Sequence, residues 1–253
     1  MSVLAIIPAR LAATRLPRKP LRLLAGTPLI VRVWERVRAM DVADRCVVAT
    51  DSEEVAAVVR AAGAECVLTR DDHPSGTDRT AEVAARPEFG AFRTIVNVQG
   101  DEPFVTAAAV RGAANVVRDG RFPLGTVSVP ASPAILAQPN NVKVVAAADG
   151  RALYFSRAPI PFLREEADRA TRDALVRQHV GVYAYTPDAL RAWVRLAPHP
   201  LEMIERLEQL RPLAAGIAMG VAEVADAGPG GIDTEDDLAR ANARWETLSA
   251  GHP

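Results

Sequence analysis

The chain has 253 residues, of which 49% are hydrophobic and 24% are charged, and its formal net charge at pH 7 is -1. This length allows one large α/β domain or two smaller ones, and the near-zero charge gives no general attraction to nucleic acid or to an anionic membrane. No apolar run approaches the roughly 18 residues of a membrane-spanning helix, and the N-terminus has no signal-peptide pattern. We expect a cytoplasmic protein that binds neither nucleic acid nor membrane.

The two cysteines, Cys46 and Cys66, lie in apolar, strand-like runs. They have neither metal-ligand spacing nor the pattern of a disulfide framework, and buried free thiols are common at such positions. This usage agrees with a reducing compartment.

The first half of the chain alternates predicted strands and helices. Apolar runs predict strands at residues 3–7, 45–50, 65–69 and 94–98. Helical spacing predicts helices at 29–40, from 54 to Gly63 and at 105–118, and one more helix that follows the polar segment 71–80 and ends at about residue 85. Thr27 is expected to cap the first helix, with Pro28 at its first position, and Asp51-Ser52 to begin the second. Because the crossovers span a dozen or more residues, we predict a parallel sheet with helices on both faces.

The pattern changes after a further strand at 125–129. From Pro130 the chain becomes proline-rich, and a hairpin around Asp149-Gly150 is predicted from residues 142–147 and 152–155. A charged loop to Arg177 follows, then a strand at 179–185, helices at 187–196 and 201–210, a strand at 217–224, and a closing helix capped by Thr234 and Asp237. We predict one domain over residues 1–253, with an insertion at about 130–211 that carries a dimer contact.

A basic loop, from Pro8 to Leu21, follows the first strand at its carboxyl end, where α/β folds place ligands. It carries Arg10, Arg15, Arg18 and Lys19, and no acidic residue precedes Glu35. Like charges crowded on one loop repel each other, so a bound anion would stabilise them. The loop predicts a phosphate site, with a solvated basic loop as the alternative.

Only Lys19 and Lys143 are lysines among the 30 basic residues. A chain that uses arginine almost everywhere retains lysine where a compact point charge is needed, and this favours a role for Lys19 at a phosphate. For Lys143 we favour a strand residue whose ammonium reaches water.

Asp101 is the best candidate for a metal ligand, since it ends a buried strand after Gly100, a residue that lets a ligand approach. Asp233, at the end of the last strand, could supply a second carboxylate. Aspartate is also common in turns for structural reasons, and that alternative stays open for both residues.

Several other polar residues could bind a ligand or could have a purely structural role. Ser75 to Arg79 fits recognition of a base, a sugar or a carboxylate, and it fits a helix cap equally well. Arg157 could point into a cleft. His179 could bind a ligand, or it could be a sheet residue whose hydrogen bonds are made within the protein. Glu205 and Glu208 could simply face water. No nucleophile motif and no glycine-rich phosphate loop is present, so we expect transfer at phosphorus by positioning and metal electrostatics.

A series of motifs occurs in order through nearly the whole chain. They are I-I-P-A-R…T-R-L-P-R-K-P-L, V-A-T-D, H-P-S-G-T-D-R, V-N-V-Q-G-D-E-P, N-N-V-K-V-V, A-L-Y-F-S-R-A-P-I-P, R-Q-H-V-G-V-Y-A-Y, L-E-M-I-E-R-L-E-Q-L-R and G-I-D-T-E-D-D-L. Together they resemble the 3-deoxy-manno-octulosonate cytidylyltransferase (CMP-Kdo synthetase) family. S-G-T-D-R, Y-F-S-R and L-E-Q-L-R are the most specific of them.

The resemblance implies an α/β, three-layer nucleotide-diphospho-sugar transferase (Rossmann-like) fold with a mixed, mainly parallel sheet. It also implies a homodimer that makes CMP-Kdo and pyrophosphate from CTP and Kdo for lipopolysaccharide synthesis, with one or two Mg²⁺ ions. The implied catalytic residues are Arg10, Lys19 and Asp101. The implied CTP ligands are Arg10, Arg15, Lys19, Ser75, Gly76, Arg79 and Gln99; the sugar ligands are Arg157, His179, Tyr185, Glu208 and Gln209; and the metal ligands are Asp101 and Asp233.

Three positions depart from the family pattern: Ala13 and Arg18 replace the usual Ser and Gly, and Met203 stands where His is often seen. Two alternatives remain. One is a cytidylyltransferase for another acidic sugar, such as 8-amino-Kdo or a sialic acid, and the other is a non-catalytic nucleotide-binding regulator.

Overall fold

The computed structural model describes residues 2–12 and 15–250, apart from the side chains of residues 248–250. Ala13 lies outside this part of the chain. The strands are β1 (Val3–Ala9), β2 (Leu23–Leu24), β3 (Thr27–Pro28), β4 (Arg45–Thr50), β5 (Glu65–Leu68), β6 (Thr94–Asn97), β7 (Leu124–Pro130), β8 (Lys143–Ala146), β9 (Ala152–Ser156), β10 (Arg177–Tyr185) and β11 (Met219–Glu223). The helices are α1 (Leu29–Ala39), α2 (Glu53–Ala61), α3 (Gly76–Ala84), α4 (Ala107–Arg118), α5 (Arg169–Ala174), α6 (Pro187–Arg195), α7 (Pro200–Glu205), α8 (Leu210–Ala214) and α9 (Glu235–Ala250). Single 3-10 turns occupy Lys19–Leu21, Pro87–Phe89, Pro133–Ala137 and Glu166–Asp168.

Two compact units make up the described chain. The N-terminal unit contains residues 2–92, 97–107 and 228–250, and the central unit contains residues 93–96 and 108–227. Each is described by itself.

In the N-terminal unit, β1, β4 and β5 form a parallel sheet in that order. All seven residues of β1 are buried, as expected for an apolar strand covered on both faces. The Ser52 hydroxyl accepts from the Val55 N–H at 3.4 Å, and Thr234 and Asp237 cap α9 reciprocally. The predicted strands and these two caps are confirmed.

The predicted cap at Thr27 is wrong. Thr27 pairs with Leu24 in the short β2–β3 hairpin, and the N-cap position of α1 is Pro28, whose side chain makes no capping hydrogen bond to the described residues. The hairpin turns at Ala25-Gly26, where both residues have positive φ, as a two-residue hairpin turn requires. The extended backbone of Thr27 therefore belongs to a strand.

In the central unit, β7 pairs with β11 in parallel and with β10 antiparallel. The hairpin of β8 and β9 forms as predicted, and β8 also pairs with β10 where Lys143 faces Gln178. With strands and helices in both units, the predicted α/β class is confirmed.

Two predicted segments of the central unit differ from the structure. The predicted helix at 201–210 divides into α7 and α8 because Arg206 takes a left-handed conformation with φ of 55°. The predicted loop before Arg177 contains a 3-10 turn and α5. Within the described residues, no helix is both long and apolar enough to cross a membrane.

Candidate active site

A cavity of about 410 Å³ opens in the N-terminal unit at the carboxyl end of β1. Four separate segments line it: the basic loop, residues 73–79, residues 99–101 and Asp233. This is the edge of a parallel sheet at which α/β proteins bind ligands. The volume is in the range of ordinary small-molecule sites.

Lys19 lines the cavity and joins two of the other segments through ion pairs. Its Nζ lies 2.5 Å from Asp101 Oδ2 and 2.9 Å from Asp233 Oδ1. Only 19% of the Lys19 side chain is exposed, so both ion pairs are partly shielded from water. The structure brings together one cation and two carboxylates that are far apart in the sequence.

Asp101 is positioned by very close backbone packing. A Cβ on Gly100 would lie 2.6 Å from the Pro8 carbonyl oxygen, closer than real Cβ contacts allow. The Asp101 carbonyl accepts from the Ile232 N–H at 2.9 Å, which ties it to the segment that carries Asp233. Gly100 is therefore needed for contact with β1. It also lines the cavity, and its admission of a ligand stays a prediction.

The charges in the cavity alter two pKa values. Burial alone would lower the pKa of Lys19, but the Asp101 carboxylate, followed by Asp233, outweighs burial and raises it. Burial first, then Asp101 and Asp233, raise the pKa of Glu102 to about 7. Lys19 is thus charged at neutral pH, while the third nearby acid is only partly ionised.

The arginines of the basic loop differ in their contacts. Arg15 pairs with Asp233 at 3.0 Å, and Arg18 points elsewhere and pairs with Glu54 at the start of α2. Arg10 is exposed, lines the cavity and makes no hydrogen bond or ion pair with any residue of the described ranges. Arg10 is therefore available to an anionic ligand, and Arg15 is exposed enough to change partner.

Ser75, Gly76 and Gln99 meet at the cavity wall. The Ser75 hydroxyl caps α3 by accepting from the Asp78 N–H at 3.2 Å. The helix cap that was the alternative for the segment from Ser75 to Arg79 is therefore present at Ser75. A Cβ on Gly76 would lie 3.2 Å from Pro8 Cγ and 3.8 Å from Gln99 Oε1. The small residue brings the start of α3 close to β1 and Gln99.

Arg79 is 3% exposed and largely committed to the protein. Its guanidinium donates to Asp51 Oδ2 at 3.0 Å, to the Arg70 carbonyl at 3.1 Å and to the Thr69 hydroxyl. Asp51 Oδ1 is buried with no hydrogen-bond partner among the residues described. Arg79 therefore holds the end of β5 against α3, and its predicted contact with cytidine remains a prediction.

Sequence reasoning missed a second contact of α3 with the cavity wall. Glu82 accepts from the Arg70 N–H at 3.1 Å and lies 2.5 Å from His73 Nε2, and Arg86 donates to the carbonyl that ends β5. Arg79 and Glu82 are three residues apart on α3 and share one helix face, while Arg86 follows the end of the helix. That spacing was the available signal, but it does not reveal which segment the face binds.

In the central unit, Arg157 follows β9 and is half-buried. Its guanidinium donates to the carbonyls of Pro139, Glu205 and Arg206, and its N–H donates to Glu205 Oε2 at 2.9 Å. Glu205 also accepts from the Ser156 hydroxyl at 2.6 Å. The interpretation of Glu205 as a residue facing water is wrong, because its carboxylate fixes the end of β9.

The other predicted sugar ligands lie in the same unit. His179 Nε2 lies 2.9 Å from the Thr126 hydroxyl, and burial lowers the pKa of His179 to about 3, so the ring is neutral. Tyr185 is completely buried and packs edge-on against Trp193, while Gln209 is buried and Glu208 is half-buried. These assignments remain predictions.

Sequence comparisons with known proteins show the family of this chain. The family model described as cytidylyltransferase matches residues 4–219. The 3-deoxy-manno-octulosonate cytidylyltransferase of Gemmatimonas aurantiaca is 62% identical over 252 residues, which cover 100% of this chain and 97% of the relative. That of Polynucleobacter necessarius is 44% identical and covers 94% of this chain and 93% of its own. The chain belongs to the 3-deoxy-manno-octulosonate cytidylyltransferase family.

Solved structures support the family fold. The structure of CMP:2-keto-3-deoxy-manno-octonic acid synthetase complexed with CTP superposes with a TM-score of 0.90 at 38% identity, covering 98% of this chain and 100% of that one. A cytidylyltransferase from Leptospira borgpetersenii shares the fold, with a TM-score of 0.61 at 15% identity, covering 98% of this chain and 87% of its own. The mainly parallel α/β fold implied by the resemblance is confirmed.

One departure from the 3-deoxy-manno-octulosonate cytidylyltransferase pattern has a structural explanation. Arg18 has φ of 57°, a conformation that glycine, the usual family residue there, adopts freely. Its ion pair with Glu54 offsets part of the strain. Met203, the other described departure, is 49% exposed.

The carboxylates of the cavity fit the magnesium ion that the family implies. In the ranges that the structure describes, no group of three or more His, Cys, Asp or Glu side chains is arranged to hold a metal. Mg²⁺ is commonly held by one or two carboxylates together with substrate phosphates. Asp101 and Asp233 are both bonded to the same ammonium, so the cavity offers the two carboxylates that such a site would use.

Proposed function

We propose that this protein transfers CMP from CTP to the anomeric 2-hydroxyl of 3-deoxy-manno-octulosonate, releasing pyrophosphate. The observation that carries the proposal is the Lys19–Asp101–Asp233 constellation in a chain that is 62% identical, over its full length, to an enzyme of that name. The product, CMP-Kdo, would serve lipopolysaccharide synthesis.

The cavity supplies what transfer at phosphorus needs from a protein. The sugar oxygen forms a bond to the α-phosphorus, the bond from that phosphorus to the bridging oxygen breaks, and the hydroxyl proton passes to solvent. Negative charge grows on the phosphate oxygens, and Arg10 and Lys19 lie where they can offset it. Arg15, which is exposed, can leave Asp233 and add a third cation.

We assign Asp101 and Asp233 as the residues that would hold Mg²⁺. When bound, the ion would neutralise phosphate charge and lower the pKa of a nearby hydroxyl. Lys19 would then exchange its carboxylate partners for phosphate oxygens, a change that a flexible ammonium makes easily.

Arg157 is proposed to bind the carboxylate of the sugar in the central unit. Its three side-chain acceptors are neutral carbonyls, so its positive charge keeps the capacity to pair with a carboxylate. His179, Tyr185, Glu208 and Gln209 are proposed to shape the rest of the sugar site.

The test is pyrophosphate release from purified protein with Mg²⁺, CTP and Kdo, beside reactions with UTP, with ATP and without sugar. We expect release only with CTP and Kdo together, and a loss of at least about 100-fold in Asp101→Ala. Asp236→Asn, an exposed carboxylate on α9, is the matched control and should keep full activity.

Other outcomes decide between the alternatives. Turnover with 8-amino-Kdo or a sialic acid but not with Kdo would keep the mechanism and change the substrate. Tight CTP binding with no turnover for any acidic sugar would contradict the proposal and favour a nucleotide-binding regulator.

A homodimer is proposed from exposed apolar side chains in the central unit. Phe162 is 81% exposed and Ile204 is 79% exposed, and Leu201 and Met203 share α7 with Ile204. Exposed apolar groups of this size are typical of association surfaces. Ile204→Glu should convert a dimer to a monomer in light scattering, while Arg191→Glu, on α6, should not; a wild-type monomer would contradict this proposal.

We also propose that the protein works in the cytoplasm. Both cysteines are free thiols, and burial raises the pKa of Cys46 to about 12 and that of Cys66 to about 11. Unreactive thiols of this kind agree with a reducing compartment. Fractionation of the native host with immunodetection tests this assignment, and recovery outside the cytoplasmic fraction would overturn it.

A further inference from the structure

The second lysine of the chain, Lys143, is buried, and its ammonium bonds to backbone carbonyls. Lys143 is 0% exposed, so the interpretation of its ammonium as reaching water is wrong. Its Nζ donates to the Arg157 carbonyl at 2.6 Å and to the Gln138 carbonyl at 3.1 Å. No ion pair of Lys143 occurs within residues 2–12 and 15–250. Burying an ammonium against neutral carbonyls alone is costly, which points to a role beyond packing.

Strand pairing alone does not require this ammonium. The backbone of Lys143 is already paired with Ser156 in β9 and with Gln178 in β10. A methionine would fill nearly the same volume without a charge. Burial first, and then the positive charge of Arg157, lower the pKa of Lys143, and the Glu205 carboxylate offsets only part of this effect. A cation is therefore kept beside another cation at a cost in stability.

Arg157 is the residue that Lys143 holds. Its carbonyl is bound to the ammonium, and its guanidinium bridges the carbonyls of Pro139, Glu205 and Arg206. These contacts use Nε and one N–H on each terminal nitrogen. Among the described contacts, one N–H on each terminal nitrogen is left, and such a pair can bind a carboxylate.

The charges of Lys143, Arg157 and Glu205 do not sum to zero. Lys143 and Arg157 are two cations, while Glu205 is the only carboxylate that bonds to Ser156 or Arg157 within the part of the chain that the structure describes. An excess positive charge in a half-buried site favours a bound anion.

We propose that Lys143 is a positioning residue of the sugar-carboxylate site, which fixes the backbone of Arg157 and supplies the second positive charge. Arg157 touches the carboxylate of the acidic sugar, and Lys143 acts through Arg157. This inference rests on the proposed role of Arg157 in the transfer reaction.

The test is a double-mutant cycle of Lys143→Met and Arg157→Ala, with KM measured separately for Kdo and for CTP. Loss of a hydrogen-bonded charge should raise the Kdo KM by about tenfold or more in Lys143→Met and leave the CTP KM within about twofold. In the Arg157→Ala background, Lys143→Met should have little further effect. Arg191→Met, which removes an exposed cation from α6 of the same unit, is the matched control and should change neither constant.

A further readout separates positioning from general stability. With a Kdo analogue whose carboxylate is an amide, Lys143→Met and wild type should differ by less than about twofold, because the charge interaction is absent. If Lys143→Met does not fold, Lys143→Gln, which keeps one donor for the Arg157 carbonyl, is measured in the same cycle.

The possible results are distinct. An unchanged Kdo KM, additive effects of the two substitutions, or equal increases in both KM values would overturn the inference, although pyrophosphate release by the wild type would still support the proposed function. Absence of wild-type turnover with every acidic sugar would instead overturn the proposed function and, with it, this role of Lys143.

Discussion

The Lys19 ammonium contacts Asp101 Oδ2 at 2.5 Å and Asp233 Oδ1 at 2.9 Å, the two carboxylates proposed to hold Mg²⁺. On that proposal, Lys19 and Mg²⁺ would compete for the same oxygen atoms when no nucleotide is bound. CTP would give Lys19 new phosphate partners and leave the two carboxylates to the metal. Nucleotide and metal should therefore bind cooperatively.

Removing the ammonium should let the metal bind alone. We expect millimolar Mg²⁺, without nucleotide, to raise the melting temperature of Lys19→Met by several degrees, about 1–2 kcal/mol, and to leave that of the wild type nearly unchanged. Thermal unfolding with and without Mg²⁺ measures this. The Lys19→Met, Asp101→Asn double variant is the control and should lose the effect; an equal gain in the wild type contradicts the competition.

Gly100→Ala should disturb the position of Asp101. The added Cβ would lie 2.6 Å from the Pro8 carbonyl, so the turn must shift. We expect about 1–3 kcal/mol of lost stability, and a fall in turnover greater than this loss explains. Denaturant unfolding and pyrophosphate release give the two values. Gly181→Ala is the control for stability, because its added Cβ would meet nothing within 4 Å. Equal losses of stability in Gly100→Ala and Gly181→Ala would refute the close contact between Gly100 and the Pro8 carbonyl.

Arg18 should tolerate glycine better than a β-branched residue. At φ of 57°, glycine relieves backbone strain of about 1 kcal/mol while the exposed Glu54 pair, also worth at most about 1 kcal/mol, is lost. Arg18→Gly should thus change the free energy of unfolding by less than about 1 kcal/mol, and Arg18→Val should lower it by about 1–2 kcal/mol more. Chemical denaturation of both variants checks this, with Glu54→Gln reporting the ion pair alone. Equal stability of the two Arg18 variants would show that the backbone conformation is not strained.

His179 should make the fold sensitive to acid. Its folded pKa is about 3, below the ordinary value of 6.5, so between these values the unfolded chain binds a proton that the folded chain does not. The stability contributed by neutral His179 is complete above pH 6.5 and falls by up to about 1.4 kcal/mol for each pH unit below it. Denaturant unfolding at pH 7.5 and pH 5 measures the slope. In His179→Gln the slope should be smaller, and an identical slope would assign the acid sensitivity to other groups.

Much of the fold could be predicted from local patterns. Apolar runs identified β1, β4 and β5, and polar residues before helices identified the caps at Ser52 and Thr234. These features depend on neighbouring residues, which a sequence displays directly. The β2–β3 hairpin was missed because its turn, Ala25-Gly26, lacks the usual Asn or Asp signal.

The cavity was only partly predictable. The basic loop after β1 indicated a site at the carboxyl end of that strand, and Asp101 and Asp233 were predicted as its carboxylates. The contacts of Lys143, Glu205 and Arg79 could not be predicted, since each joins side chains to segments whose approach is set by tertiary packing. A spacing shows which residues share a face, but it does not show what that face meets.

Both lysines of the chain hold their ammonium groups inside hydrogen-bonded sites, and the other 28 of its 30 Lys and Arg residues are arginines. Amine-directed reagents such as succinimidyl esters do not modify arginine. Beyond the α-amino group, the folded protein therefore offers these reagents only two side chains, both engaged. Acylation of Lys19 should report the release of its carboxylates, and acylation of Lys143 should report opening of the central unit, so one chemical label can follow each unit separately.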